Sequence, residues 1–356
     1  MNTFELFREG IASVPTPAAW YLADLFEYRG RQELIARQSP QVLRRLCESA
    51  VIESAVSSNR IEGVTVDLDR IGTVVFGHDL LKDRDEEEVR GYRSALALVH
   101  EKGAGLRVDE ETIKGLHALA RGEVWDGGAY KDRDGDIIER SADGRERLRF
   151  RMVPATETAQ AMARLVAHYE EALRERRLPP ILAMVFFNLD FLCVHPFRDG
   201  NGRVSRLLLL LGAYGAGFEV GRYISLERLI EDEKEGYYRA LELSSAGWHE
   251  GKHDPWPYAT YILYILKRAY TDMEARANLY REAKGGRSAA VRSAIKSFGR
   301  EFSIDEVKYA CPAASVELIR KLLKAMSAEG RVRCVKRGRD ARWIFSDSEP
   351  ELSKDS

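Results

Sequence analysis

The sequence predicts a mainly helical protein that carries one small β-hairpin and ends in a winged helix-turn-helix. Three observations predict it. Long stretches repeat apolar residues every three or four positions, two short β-prone segments flank an Asp143-Gly144 turn, and three helical segments followed by a basic hairpin lie beyond Gly285-Gly286. With 356 residues, 45% of them hydrophobic and 31% charged, the chain can bury a full-sized core, and about two domains are expected.

Residues 40–58 place Leu43, Leu46, Cys47, Ala50, Val51 and Ala55 on one stripe, with Pro40 where a helix start tolerates it. Further helices are expected at 91–102, 109–121, 157–175, 181–194, 203–216 and 256–280. Asp136–Arg140 and Arg147–Met152 are short and β-prone, and the second alternates charged with apolar residues. An isolated hairpin is only marginally stable, so this one must lean on the helices while projecting from them. Beyond the glycine linker, 289–298 reads as helix, Ser303 to Glu306 as a capping box, and Ser315 to Ala328 as a longer helix stopped by Gly330. Arg331 to Phe345 reads as two strands turning near Gly338, followed by an acidic, frayed tail.

The formal charge of −1 gives no chain-wide field for nucleic acid, so any such partner needs a local patch. No stretch is long and apolar enough to span a bilayer, and the first residues do not read as a signal peptide. Cys47, Cys193, Cys311 and Cys334 lie far apart, which suggests buried thiols in a reducing compartment; the cytoplasm is the expectation.

Chemistry concentrates at 195–206. An apolar helix ends near Val194, HPFRDGNGR follows, and VSRLLLLL opens the next helix. Pro196 forbids simple continuation, while Gly200 and Gly202 allow close backbone approach. The free N–H groups and positive end of the second helix make an anion site. Arg203 and Arg206 share one face of its first turn, and two guanidinium forks suit a polyphosphate. Asp199, an acid inside an anion site, makes sense as the ligand of a bridging divalent cation. His195 has an ordinary pKa near ~6.5, suited to taking a hydroxyl proton. A lone histidine is more often a satisfied core residue, but here eight polar or glycine positions converge on one loop.

HPFRDGNGR, with Arg206 completing G-N-G-R-x-x-R, resembles the signature of the Fic family, whose members are mostly nucleotidyl transferases acting on protein hydroxyls. EEEVRGYRSAL, GGAYKDRDGDIIER, RMVPATETAQAM and KEGYYRALELSS are similar to further parts of the family core, across roughly residues 90–280. The resemblance implies a Fic-type helical core with the hairpin as a flap. His195 would deprotonate the target hydroxyl, Asp199 would hold Mg²⁺, and Asn201 with the backbone from Gly200 through Gly202 to Arg203 would cradle the α- and β-phosphates of ATP. Arg203 and Arg206 would hold the outer phosphates, and at least one of Tyr237 and Tyr238 would pack against adenine. Ile137 and Ile138 at the flap edge would add a target segment as an extra strand. Two features depart from the commonest pattern: Lys131 stands where an arginine is frequent, and the flap turn is long.

Ser58 and Glu62 stand one helical turn apart, and Gly63 would end that helix. The segment resembles the family's inhibitory motif, S/T-x-x-x-E-G/N. The resemblance implies that Glu62 pairs with Arg206 and keeps ATP from seating its γ-phosphate productively. The same glutamate could position a water that removes AMP. On this reading the chain divides into 1–89, a helical region with the inhibitory helix at about 40–63; 90–284, the catalytic core and trailing helices; 285–346, the winged helix-turn-helix; and 347–356, the tail.

His249 to His253 matches H-E-x-x-H, but Gly247, Gly251 and the following prolines make it a loop rather than a zinc helix. Arg331, Arg333, Lys336, Arg337, Arg339 and Arg342 suit DNA phosphates or a protein partner equally. Trp343 and Phe345 read as core. The leading expectation is an autoinhibited protein adenylyltransferase that also modifies itself. A Doc-type kinase, disfavoured by Gly202, and an ATP-sensing DNA-binding regulator are the alternatives. The target protein and a homodimer stay open.

Overall fold

The structure is a computed structural model of the chain. It describes residues 2–346 except 12, 39, 68–69, 78–80, 123–125, 141–145, 283–285, 312–313 and 339–340. The flap turn, Gly285 of the linker, Arg339 of the basic hairpin and the acidic tail lie outside the described residues.

In chain order the elements are α1 (Asn2–Leu6), α2 (Thr16–Gln38), α3 (Pro40–Ile61), α4 (Ile71–Phe76), α5 (Arg84–Lys102), α6 (Glu110–Arg121), β1 (Asp136–Arg140) and β2 (Glu146–Arg151). Then come α7 (Ala155–Arg174), α8 (Pro180–Val194), α9 (Asn201–Gly215), α10 (Leu226–Asp232), α11 (Lys234–Ser245) and α12 (Trp256–Glu282). The last elements are α13 (Gly286–Ser297), α14 (Ile304–Ala310), α15 (Val316–Ala328), β3 (Val332–Lys336) and β4 (Arg342–Phe345). The protein is mainly helical with two small antiparallel hairpins, as its periodicity predicts.

Local chemistry sets several boundaries. Asp83 caps α5 by accepting from the Glu86 N–H at 3.0 Å, and three acids fill the first turn, so the helix starts before residue 91, where apolar spacing alone begins it. Gly63 (φ 89°) ends α3: its N–H bonds to Arg60 O and that of Val64 to Asn59 O, a Schellman closure. Glu62 is thereby fixed as the last residue before the turn. α2 has no counterpart among the expected helices, because its apolar residues do not gather on one stripe: Ala18 and Leu25 are buried while Trp20 and Phe26 are exposed.

The chain forms two compact units, Met1–Glu33 with Ala50–Tyr270, and Leu34–Ser49 with Thr271–Ser356. The first is built around α8, whose residues from Ile181 to Val194 are all buried. A helix enclosed on every side needs no amphipathic stripe. α9 packs closely on it, and a Cβ on Gly212 would collide with the Met184 side chain. Asn188 ties the pair to α12, donating to Ser205 O at 2.6 Å and accepting from Tyr258 OH at 2.6 Å. β1 and β2 pair with Ile137 opposite Phe150 and Ile138 opposite Leu148, across a bulge. The hairpin leans on α11, where Arg147 meets Glu242 at 2.6 Å and Arg149 donates to Tyr238 O at 2.7 Å.

In the second unit, Val291, Ile295, Phe302, Val307, Ile319, Met326 and Val332 form a core against which Trp343 and Phe345 pack. Ser303 and Glu306 form the reciprocal capping box of α14. β3 and β4 pair antiparallel, and Phe302 bridges to Trp343 as a third strand position. Among the described residues no helix is long and apolar enough to cross a membrane.

Candidate active site

The site is the loop between the end of α8 and the start of α9. His195 caps α8 in the left-handed region (φ 52°, ψ 62°), its N–H bonded to Phe191 O at 2.9 Å. Phe197 is fully buried and stacks face to face on His117 at 3.7 Å. His117 accepts from the Gly128 N–H at Nδ1 (2.9 Å), so its Nε2–H donates to Asp199 O (3.0 Å). Gly200 (φ 79°) turns the chain into α9. Asn201 uses its amide oxygen and nitrogen on the Phe197 N–H (2.9 Å) and O (2.8 Å). Its side chain therefore staples the loop, which leaves the backbone N–H groups of 201–203, without acceptors inside the helix, to face an anion.

The two arginines have different partners. Arg206 donates through Nε to Ser58 Oγ, and through its Nη2 to Ser58 O and Glu62 Oε1, each at 2.8 Å. Its other terminal nitrogen is buried without a hydrogen bond and lies 3.3 Å from where a Gly202 Cβ would stand. That Cβ would collide with Glu62 Oε1, so the Glu62 carboxylate rests on the glycine at the start of α9. Arg203, expected on the outer phosphates, instead turns its guanidinium to Glu88 (2.7 Å) and Asn59 (3.3 Å), and its side chain is 1% exposed. Glu88 also holds Arg121 at 2.8 Å and Arg84 at 3.0 Å.

Asp199 is half exposed and meets Arg121 at 2.6 Å, Arg203 at 3.5 Å and Arg84 at 3.6 Å, and it accepts the Gly200 N–H at 2.6 Å. Burial works to raise its carboxyl, but Arg203, Arg121, Gly200 and Arg84 together hold it below the ordinary value. It is therefore an anion at neutral pH. Among the described residues no three His, Cys, Asp or Glu side chains gather to hold a metal by themselves. A Mg²⁺ bound here would lean on Asp199 and otherwise on phosphate oxygens and water, the usual coordination for that ion.

Burial, aided by the Lys131 charge, pushes the His195 imidazole down to about 4. The ring is neutral at pH 7. Its Nδ1 faces Leu192 O at 3.3 Å, which assigns the proton there and leaves the Nε2 lone pair free to accept.

Comparison with known proteins assigns this geometry. Residues 107–212, which include His117, Arg121 and the whole loop, match the model of the Fic/DOC family. The chain carries a Fic/DOC family domain. A Fic family protein from Desulfovibrio desulfuricans G20 is 25% identical, with 94% of this chain and 98% of that chain covered at a TM-score of 0.59. A Fic domain containing signaling protein from Bacteroides thetaiotaomicron VPI-5482 is 20% identical, covering 72% and 97%, with a TM-score of 0.60. Fic-1 (aa134–508) from C. elegans is 18% identical, covering 74% of each, with a TM-score of 0.54. Members of the family commonly transfer nucleoside monophosphates to proteins.

Around the Fic/DOC loop, the two tyrosines of α11 separate. Tyr237 is 3% exposed and sits among Tyr258 and Tyr261, a core position. Tyr238 is half-buried, lies beneath the Arg149 guanidinium at 4.9 Å and donates to Ile61 O at 3.3 Å, next to Glu62. Ile138 is exposed on the hairpin and Ile137 is partly covered. The H-E-x-x-H histidines go to different places: His253 meets Thr3 Oγ1 at 2.8 Å and His249 meets Arg151 O at 2.7 Å. Sequence reasoning missed Asn59, Glu88, His117 and Arg121, which hold the loop through contacts 78 to 144 positions away along the chain. No local pattern singles out Glu88, which precedes the expected helix start at residue 91; only the similarity of EEEVRGYRSAL to the family core covers it.

Proposed function

We propose that the Fic/DOC domain transfers AMP from ATP to a Ser, Thr or Tyr hydroxyl of a protein, this chain included, and that Glu62 restrains it. The observation that carries this reading is the Glu62 carboxylate resting on Gly202 and Arg206: the cradle already holds an anionic group. With Glu62 withdrawn, the N–H groups of 201–203 and Arg206, including its unpartnered nitrogen, are available for phosphate oxygens. Arg203 acts from behind, fixing Asp199 and the helix start through Glu88.

His195 Nε2 takes the proton of the incoming hydroxyl. The freed oxygen bonds to the α-phosphorus, the bond from that phosphorus to the oxygen leading to the β-phosphate breaks, and pyrophosphate leaves. Mg²⁺ on Asp199 would neutralise charge on the phosphates. Such a transfer depends mainly on positioning and charge stabilisation, which the stapled loop provides. Tyr238 is the adenine-side residue and Ile137 and Ile138 line the edge that receives the target strand. Glu62 also suits the reverse reaction, orienting a water for removal of AMP.

Incubation of wild type, Glu62→Gly and Glu62→Gly/His195→Ala with α-labelled ATP and Mg²⁺ tests this. Covalent label on Glu62→Gly that disappears with His195→Ala, by the ~10²–10⁴-fold typical of a general base, is the expected result. Label from γ-labelled ATP alone selects a Doc-type kinase. No label from either leaves the domain as an ATP sensor.

For the second unit, we propose a winged helix-turn-helix that contacts DNA, in a protein of the cytoplasm. Arg320, Lys321 and Lys324 on α15 and Arg331, Arg333, Lys336 and Arg337 at the hairpin are exposed, and none is in an ion pair among the described residues. Arg292, Arg300 and Arg342 are paired with Glu329 or Glu306. Unpaired cations on a helix and the adjoining strand suit a polyanion better than a protein surface of mixed charge. A gel shift on duplex DNA that weakens steeply with salt supports this reading, and a salt-insensitive or absent shift opposes it.

A further inference from the structure

Lys131 is 4% exposed, an uncommon place for an ammonium group. Its Nζ donates to Val194 O at 3.0 Å and His195 O at 2.8 Å, and its backbone N–H donates to Pro196 O at 2.8 Å. One residue thus satisfies three successive carbonyls at the end of α8, where the last turn lacks helical partners and the helix dipole is negative. Between them His195 adopts φ 52° and ψ 62°, a conformation that is unfavourable for a side-chain-bearing residue and persists only when its surroundings hold it.

We propose that Lys131 is the positioning residue of His195, clamping the left-handed turn from which the ring serves the loop and keeping that ring uncharged. The inference rests on the reading of His195 as the general base. Three charged groups bear on the imidazole: Lys131 from the segment before the hairpin, Glu62 from the end of α3, and Asp199 from the loop. Burial and Lys131 disfavour its protonated form, while the Leu192 carbonyl and the two carboxylates favour it. Lys131 itself is drawn down to about 8 by burial, against the pull of Asp134, so it is still mostly charged at neutral pH. An arginine could hold the same charge, but its planar fork distributes donors differently from an ammonium point charge.

Three variants of the full chain in the Glu62→Gly background separate clamp from charge: Lys131→Gln keeps a donor, Lys131→Arg keeps the charge, and Lys131→Met keeps only the stem. The readouts are the His195 ring titration by NMR, assigned by its loss in His195→Ala, and the pH profile of AMP transfer. Lys131→Gln and Lys131→Met should raise the His195 pKa by about 1 unit, with Lys131→Arg close to the parent. In Lys131→Met kcat should fall about 10-fold or more while KM for ATP holds. If Lys131→Met does not fold, the Gln and Arg variants carry the comparison. A His195 titration in folded Lys131→Gln that coincides with the parent overturns the proposal. That readout needs no transfer activity, whereas failure of the base role itself shows as transfer surviving His195→Ala.

Discussion

Arg203 and Arg206 stand one turn apart at the start of the same helix, each against a glutamate, and the two surroundings differ. Inside, Glu88 is 4% exposed and is shared by Arg203, Arg121 and Arg84. Outside, Glu62 is 31% exposed, pairs with Arg206, and sits just before the glycine that ends α3. The same pair of groups is an enclosed strut in one place and, on the proposed function, a replaceable plug in the other. Burial makes the difference: removing a partner from an enclosed pair strands a charge, while removing one from a partly wet pair lets water or a phosphate take over.

Breaking the inner region should have the largest effect. Glu88→Gln leaves Arg203 and Arg121 buried and short of countercharge. Urea unfolding should show a loss of about 3–5 kcal/mol. A loss under about 1 kcal/mol would make the two regions equivalent after all. Glu62→Gly comes next and acts in the opposite direction. Auto-modification should rise about 10-fold or more, while stability stays within about 1 kcal/mol of the parent. Unchanged modification would refute the plug.

Acid should act on the first unit through its buried histidines. His100, His117, His195 and His253 are all pushed down to about 4, in each case chiefly by burial. Between about pH 6.5 and 4 the unfolded chain binds protons that these groups refuse in the fold. Stability contributed by them is therefore present above pH 6.5 and is lost as pH falls toward 4, at up to about 1.4 kcal/mol per pH unit for each. Asp190, raised to about 6 by burial despite bonds from Thr3 and Trp248, works in the opposite sense between pH 6 and 4 and offsets about one of them. Denaturant melts at pH 7, 6, 5 and 4 should show this decline, and a flat profile would contradict it.

The smallest effect is expected from Tyr238→Phe. It removes only the 3.3 Å bond to Ile61 O, worth about 0.5–1 kcal/mol, and should raise basal auto-modification about 2–5-fold by loosening the end of α3. No rise, with the hairpin contact of Arg149 preserved, would place the hold on Glu62 entirely in Arg206 and Ser58.

Much of the site was legible because its chemistry is contiguous. Pro196, Asp199, Gly200, Gly202 and the two arginines lie within the eleven residues from Pro196 to Arg206, so loop, helix start and anion site follow from local rules. Ser58, Glu62 and Gly63 were legible from spacing only as an ordinary helical turn and its ending; the brake proposed for them rests on the resemblance to the family's inhibitory motif. α2 was not legible, because its burial does not follow one stripe.

Sequence alone determined which backbone groups would be free at the start of α9, and which residue types would stand beside them. Tertiary structure alone decided that Arg203 belongs to Glu88 and Arg206 to Glu62, that the Asn201 side chain staples the loop, that Tyr237 is core, and that Lys131 reaches the carbonyls around His195. The reason is physical. Helical period and turn chemistry act over a few residues, whereas the choice of a charge's partner is made by whichever distant segment packing brings within 3 Å.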